Sequence, residues 1–146
     1  KNLIRGKEVA AGASAYYSGY GRLDSLLNIS ATPAKGVSTE KLKELILAEI
    51  ETLKAELVSE SELKRVKAQV ISGEVFERDS IEHMATILGS LESVGLGHKY
   101  IDQYVPGILA VTAQQIQDVA KKYLIENSLT VAELIPLPLG EKQEKQ

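Results

Sequence analysis

Apolar and polar positions alternate along the chain with two different periods, and the change of period divides it. Residues 23–32, LDSLLNISAT, put Leu27, Ile29 and Ala31 on one side and Asn28, Ser30 and Thr32 on the other. This period of two predicts a half-buried strand. Residues 8–18, EVAAGASAYYS, are extended in character, and the glycine-bearing turn GYGR between the two segments predicts an antiparallel hairpin. TPAKGVS, residues 32–38, reads as a loop from its proline and glycine.

Beyond it the period lengthens to that of a helix. Leu42, Leu45, Ile46, Ile50, Leu53 and Leu57 follow helical spacing, with Glu49 the one polar intruder. Ser59 to Glu62 has the form of a capping box and opens a second helix with Leu63, Val66 and Val70 as its stripe. Asp79 or Ser80 caps a third, carrying Ile81, Met84, Ala85, Leu88 and Leu91 and ended by Gly95 and Gly97. KYIDQYV predicts a short helix stopped before Pro106. A second capping box, Thr112 to Gln115, opens a helix with Ile116, Val119, Ala120 and Tyr123 on its stripe. SLTVAELI, residues 128–135, predicts a last strand, and EKQEKQ a solvated, disordered tail.

The predicted order β-β-α-α-α-α-α-β defines an α+β fold of two layers, an antiparallel sheet packed against several helices. Three strands are few for so many helices, so the expectation is a lobe incomplete at its N-terminus. Residues 1–139 would form one part of a lobe and residues 140–146 a polar tail. The single methionine, Met84, agrees with Lys1 not being a natural start.

Composition removes several functions. The 146 residues are enough for one domain with a sizeable core. Net charge is −3, which gives no basic footprint for nucleic acid. No apolar run is long enough for a membrane span. Without cysteine there are no disulfides, thiolate nucleophiles or cysteine metal sites.

Candidate chemistry is sparse. His83 and His98 stand fifteen positions apart and belong to neither H-E-x-x-H nor H-x-x-E-H, whose spacing puts two imidazoles on one helix face around a metal. GASAY lacks the second glycine of a nucleophile elbow and lies in a predicted strand, so Ser14 reads as structural. GYGRLD leads into a strand and offers no helix N-terminus to a phosphate. Glu74, Glu77, Asp79 and Glu82, with Arg78 among them, read as a solvated face and a helix cap. Tyr16, Tyr17 and Tyr20 fit either a peptide cleft or ordinary strand aromatics. No catalytic residue and no metal ligand is assigned.

Three stretches carry a resemblance. AVTAQQIQDVAKKYLIENSLTVAELIP is similar to the end of a lobe in the pitrilysin/insulinase family of zinc metallopeptidases. SESELKRVKAQVISGEVFERDS is similar to that family's E-L-x-x-x-K helix, and ISATPAKGVSTEKLKELILAEI to its strand, Pro-Gly loop and following helix. The resemblance implies a C-terminal, non-catalytic lobe that helps enclose and position a peptide. Zinc is implied for the parent protein and no cofactor for these residues. The implied partners are an upstream catalytic lobe or catalytic subunit, a peptide substrate, and a homo- or heterodimeric mate. A metal-free scaffold or partner subunit of the same family is the alternative. In the family's second lobe an arginine and a tyrosine meet substrate in a pattern like L-R-x-x-x-G-x-x-Y. Here LIRGKEVAA shifts Arg5 by one position and places Ala11 where tyrosine would fall. The substrate-binding candidates are therefore Arg5, Tyr16 and Tyr17. Glu74, on the helix that would bear a downstream zinc glutamate in a catalytic lobe, reads as a relic of that position. The opening IRGK with ASAYY is similar to that of bacterial envelope peptidases of the family, which implies a periplasmic location.

Overall fold

The fold was analysed in a computed structural model, which describes residues 2–135. The tail at 140–146 therefore lies outside the described residues. A π-helical turn, Asn2–Gly6, is followed by β1 (Ala10–Tyr17) and β2 (Leu27–Pro33), then α1 (Thr39–Ala55), α2 (Glu60–Glu77), α3 (Ile81–Ser93), α4 (Ile101–Ala110) and α5 (Ala113–Tyr123). Short 3-10 turns precede α4 and follow α5. The fold is α+β, with an antiparallel β1–β2 ribbon beside the helices.

The hairpin register pairs Tyr17 with Leu27 and Ala13 with Ala31, and slips by one residue between Ala10 and Gly12. Ala11 is thus a bulge residue, which bends the strand and re-aims its neighbours. Ser25 Oγ donates to the Ser18 carbonyl at 2.9 Å and ties the loop between the strands. Within that loop a Cβ on Gly21 would meet the Leu23 carbonyl oxygen at 2.8 Å, so only glycine fits there.

The helix caps form where the sequence places them. Ser59 Oγ accepts from the Glu62 N–H and Ser80 Oγ from the His83 N–H, each at 3.2 Å. The Thr112–Gln115 box is complete in both directions, at 3.2 and 2.8 Å. Helix α3 ends in a Schellman motif: the Leu96 N–H reaches the Leu91 carbonyl at 3.0 Å, the Gly95 N–H reaches that of Glu92 at 3.1 Å, and Gly95 takes φ 84°.

Three expectations are corrected. Helix α4 does not stop before Pro106 but runs through it to Ala110. Ile101, Tyr104, Val105 and Ile108 form one half-buried stripe, while Pro106 and Gly107 face outward. The helix thus loses only the bond that a residue-106 N–H would make to Asp102, and packing against α2 and α3 offsets it. Second, residues 129–135 form no strand. A strand needs a ladder partner, and among the described residues β1 and β2 pair only with each other. Thr39 Oγ1 donates to Glu133 Oε2 at 3.1 Å and ties this segment to the start of α1. Third, several helices are rotated from their expected stripes. Val66, Ile81, Ala85, Val119 and Tyr123 are exposed, whereas Gln117 is buried with its amide oxygen accepting from Lys121 Nζ at 2.9 Å. Leu57 falls beyond α1 and is exposed as well.

The fully enclosed apolar side chains described are few: Ala10, Leu42, Leu91 and Ala120. Accessible surface is 11963 Å², against about 7,400 Å² for a compact monomer of 15.9 kDa. The twelve residues outside the described region can contribute at most about 1,900 Å² of the difference.

Candidate functional site

Arg5 lies exposed on the π-helical turn. The turn folds back on β1, with the Val9 N–H donating to the Leu3 carbonyl at 2.9 Å. Glu8 between them has φ 51°, a left-handed conformation that costs a non-glycine residue energy. Lys7 Nζ meets Glu49 Oε1 at 3.0 Å, which explains the polar intruder on α1 and anchors the turn to that helix.

Tyr16 and Tyr17 stand at the opposite end of β1, opposite Asn28 and Leu27 and 67% and 59% exposed. Adjacent in a strand, they point to opposite faces. Eight strand residues span about 23 Å, so the structure does not gather Arg5 with the tyrosines into one cleft. Ser14 lies mid-strand opposite Ser30.

A different cluster forms where the β1–β2 loop meets α2 and the start of α4. Tyr20, on the hairpin loop, packs edge-on against Tyr100 with ring centroids 6.0 Å apart and planes at 88°. Its phenol is pushed above the ordinary tyrosine value, chiefly by burial and then by Tyr104, Glu74 and Tyr100 nearby. Glu74 belongs to the inward stripe of α2 with Leu63, Lys67, Val70 and Ile71. Its carboxylate accepts from Arg78 Nε at 3.3 Å. Across the α2–α3 corner, His83 Nε2 approaches Glu77 Oε2 to 3.3 Å. One donor atom each from Glu74, Glu77 and His83 lies within 4.8 Å of the others. Sequence reasoning separated these residues into a solvated acidic run and a helix-end histidine. Only the i, i+3 spacing of the two glutamates hinted at a shared face.

His98 has its own partner. Glu92 Oε1 accepts its backbone N–H at 2.7 Å and meets its Nδ1 at 2.8 Å. These bonds hold the Glu92 carboxyl below the ordinary carboxylate range.

The fold is an α+β lobe that is similar in structure to parts of several solved proteins. A protease from Helicobacter pylori superposes with TM-score 0.75 at 20% identity, over 86% of this chain and 30% of its own. A "putative zinc protease" from Bordetella pertussis Tohama I gives TM-score 0.77 at 18% identity, over 93% of this chain and 74% of its own. The inactive peptidase domain of a similarly described protein from Bordetella parapertussis gives 0.71 at 17%, over 91% and 73%. No curated protein matches the chain. Residues 1–70, just under half of the chain, match the profile of the peptidase M16 inactive domain.

The resemblance to zinc metallopeptidases implies zinc in a catalytic lobe. The residues present do not fit that site, since His83 and His98 are not paired as H-x-x-E-H and lie at different corners. No catalytic step is therefore derived through zinc here. Among the described residues no helix is long and apolar enough to cross a membrane.

Proposed function

We propose that this chain serves as the non-catalytic lobe of a zinc-dependent metalloendopeptidase, and that it encloses and positions an extended peptide for a catalytic lobe or subunit. The match of residues 1–70 to an inactive peptidase domain carries the reading. Two features support it. The accessible surface greatly exceeds that of a compact monomer, which suits a part that packs against more protein. The β ribbon has unpaired flanks among the described residues, and a peptide can add there as a further strand. In this reading Arg5, on its strained turn, and the exposed Tyr16 and Tyr17 contact different stretches of one extended peptide. Residues 1–139 are one part of the lobe, zinc belongs to the parent's catalytic lobe, and the parent is periplasmic.

The test compares this chain with a parent polypeptide that contains the catalytic lobe. The parent is expected to cleave peptides in a chelator-sensitive manner, and the pure chain to bind a labelled extended peptide without cutting it. Chelator-sensitive proteolysis by the pure chain overturns the reading. A parent without such activity overturns it in favour of the scaffold alternative.

A further inference from the structure

We propose that Glu74, Glu77 and His83 form a divalent transition-metal site that clamps the α2–α3 corner, separate from any catalytic zinc and independent of the peptide-positioning role. The ligand atoms come from two helices with fixed ends. Glu74 and Glu77, three residues apart, share a face of α2. His83 lies in the first turn of α3, where its own N–H is held by Ser80 Oγ at 3.2 Å. All three donor atoms fall within 4.8 Å of one another. In a tetrahedral site with bonds near 2.1 Å, ligand atoms lie about 3.4 Å apart. His83 Nε2 and Glu77 Oε2 are already at 3.3 Å, so side-chain rotation at Glu74 completes the set.

The chemistry of the donors selects the ion. One imidazole nitrogen with two carboxylate oxygens suits zinc and its neighbours better than magnesium or calcium, which prefer all-oxygen shells. Two carboxylates and a neutral imidazole together carry charge −2, matching one divalent cation. The placement of Glu74 adds an independent argument. Its side chain is only 15% exposed and sits on the packing stripe of α2, where an apolar residue would bury more surface. Its present cationic partner is Arg78, itself 39% exposed and free to swing away as the metal enters. The site leaves a coordination position toward solvent, because Glu77 is 58% exposed.

The test is zinc titration of the untagged chain by calorimetry, with the visible absorption of the cobalt form as a second readout. One equivalent is expected to bind, with a cobalt spectrum of low coordination number. His83→Ala and Glu77→Gln are each expected to weaken binding by more than the roughly 10–100-fold typical of losing an outer-sphere partner. His98→Ala should leave it unchanged. Arg78→Ala should tighten it by up to about 5-fold, the equivalent of one exposed ion pair removed as competitor. Far-UV circular dichroism identifies any variant that fails to fold, and the exposed Glu77→Gln is the variant least exposed to that failure. Absence of saturable binding, binding of several equivalents, or binding that survives both His83→Ala and Glu77→Gln overturns the proposal.

Discussion

In the helical layer Leu42, Leu91 and Ala120 are 3%, 0% and 2% exposed, whereas in the ribbon Tyr16, Tyr17, Leu27 and Ile29 are 67%, 59%, 43% and 43% exposed. The helices make their own enclosure, with α5 packed on α1 and α4 on α2 and α3. The ribbon has hydrogen bonds but little cover, and an isolated two-stranded hairpin is marginal in water. The difference teaches where this fold encloses its own apolar side chains and where it leaves them in contact with solvent.

The sharpest way to break that contrast is a pair of truncations. Leu91→Ala is expected to cost about 2–5 kcal/mol in urea unfolding, while Ile29→Ala costs roughly 0.5 kcal/mol. Equal losses would mean that the ribbon is as well packed as the helices. Next in size is Pro106→Ala. Proline inside a helix costs about 3 kcal/mol relative to alanine, of which about 1 kcal/mol is offset by its stiffening of the unfolded chain. A gain of about 2 kcal/mol in the unfolding midpoint analysis is expected, since Pro106 faces outward; a loss would show that the proline ring itself is packed. Thr112→Ala removes half of the complete capping box on α5 and should cost about 1 kcal/mol, a value that would shrink toward zero if α5 were held by packing alone.

The smallest effect is a pH dependence at the α3–α4 junction. The Glu92 carboxyl is held below its ordinary range by the His98 ring and backbone N–H. A carboxyl whose folded value is depressed contributes stability that is present above its unfolded value and lost as pH falls through the folded one. Glu92→Gln should therefore be less stable than the parent chain at neutral pH, with the gap closing in acid. Thermal melts of both chains across that range check the sign, and a gap that widens in acid contradicts the assignment.

What could be read from the sequence was what short-range chemistry decides. Ser59, Ser80 and Thr112 cap helices because each hydroxyl finds an N–H three residues on, and Gly95 ends α3 because its backbone must turn left-handed. The hairpin was legible for the same reason, though the Ala11 bulge was not. Residues 128–135 misled because the same alternation suits a strand only when a neighbour supplies the ladder. Pro106 misled because tertiary packing overrode its local preference. Of the site candidates, Arg5 and the tyrosine pair were visible as residue types, but their separation along β1 was not. The Glu74–Glu77–His83 grouping depends on the angle between two helices, which no linear pattern encodes.

The bare ribbon has a consequence for handling the protein. The strands AAGASAYY and LNISATP contain no lysine, arginine or acidic residue. The Ala11 bulge and Pro33 guard one end of the ribbon, while the Tyr17–Leu27 end has no such guard. Uncharged, exposed edges of this kind are templates for another copy of themselves. The chain produced alone should therefore associate as its concentration rises, and a single lysine in place of Asn28 should restore its solubility more effectively than any change to the helices.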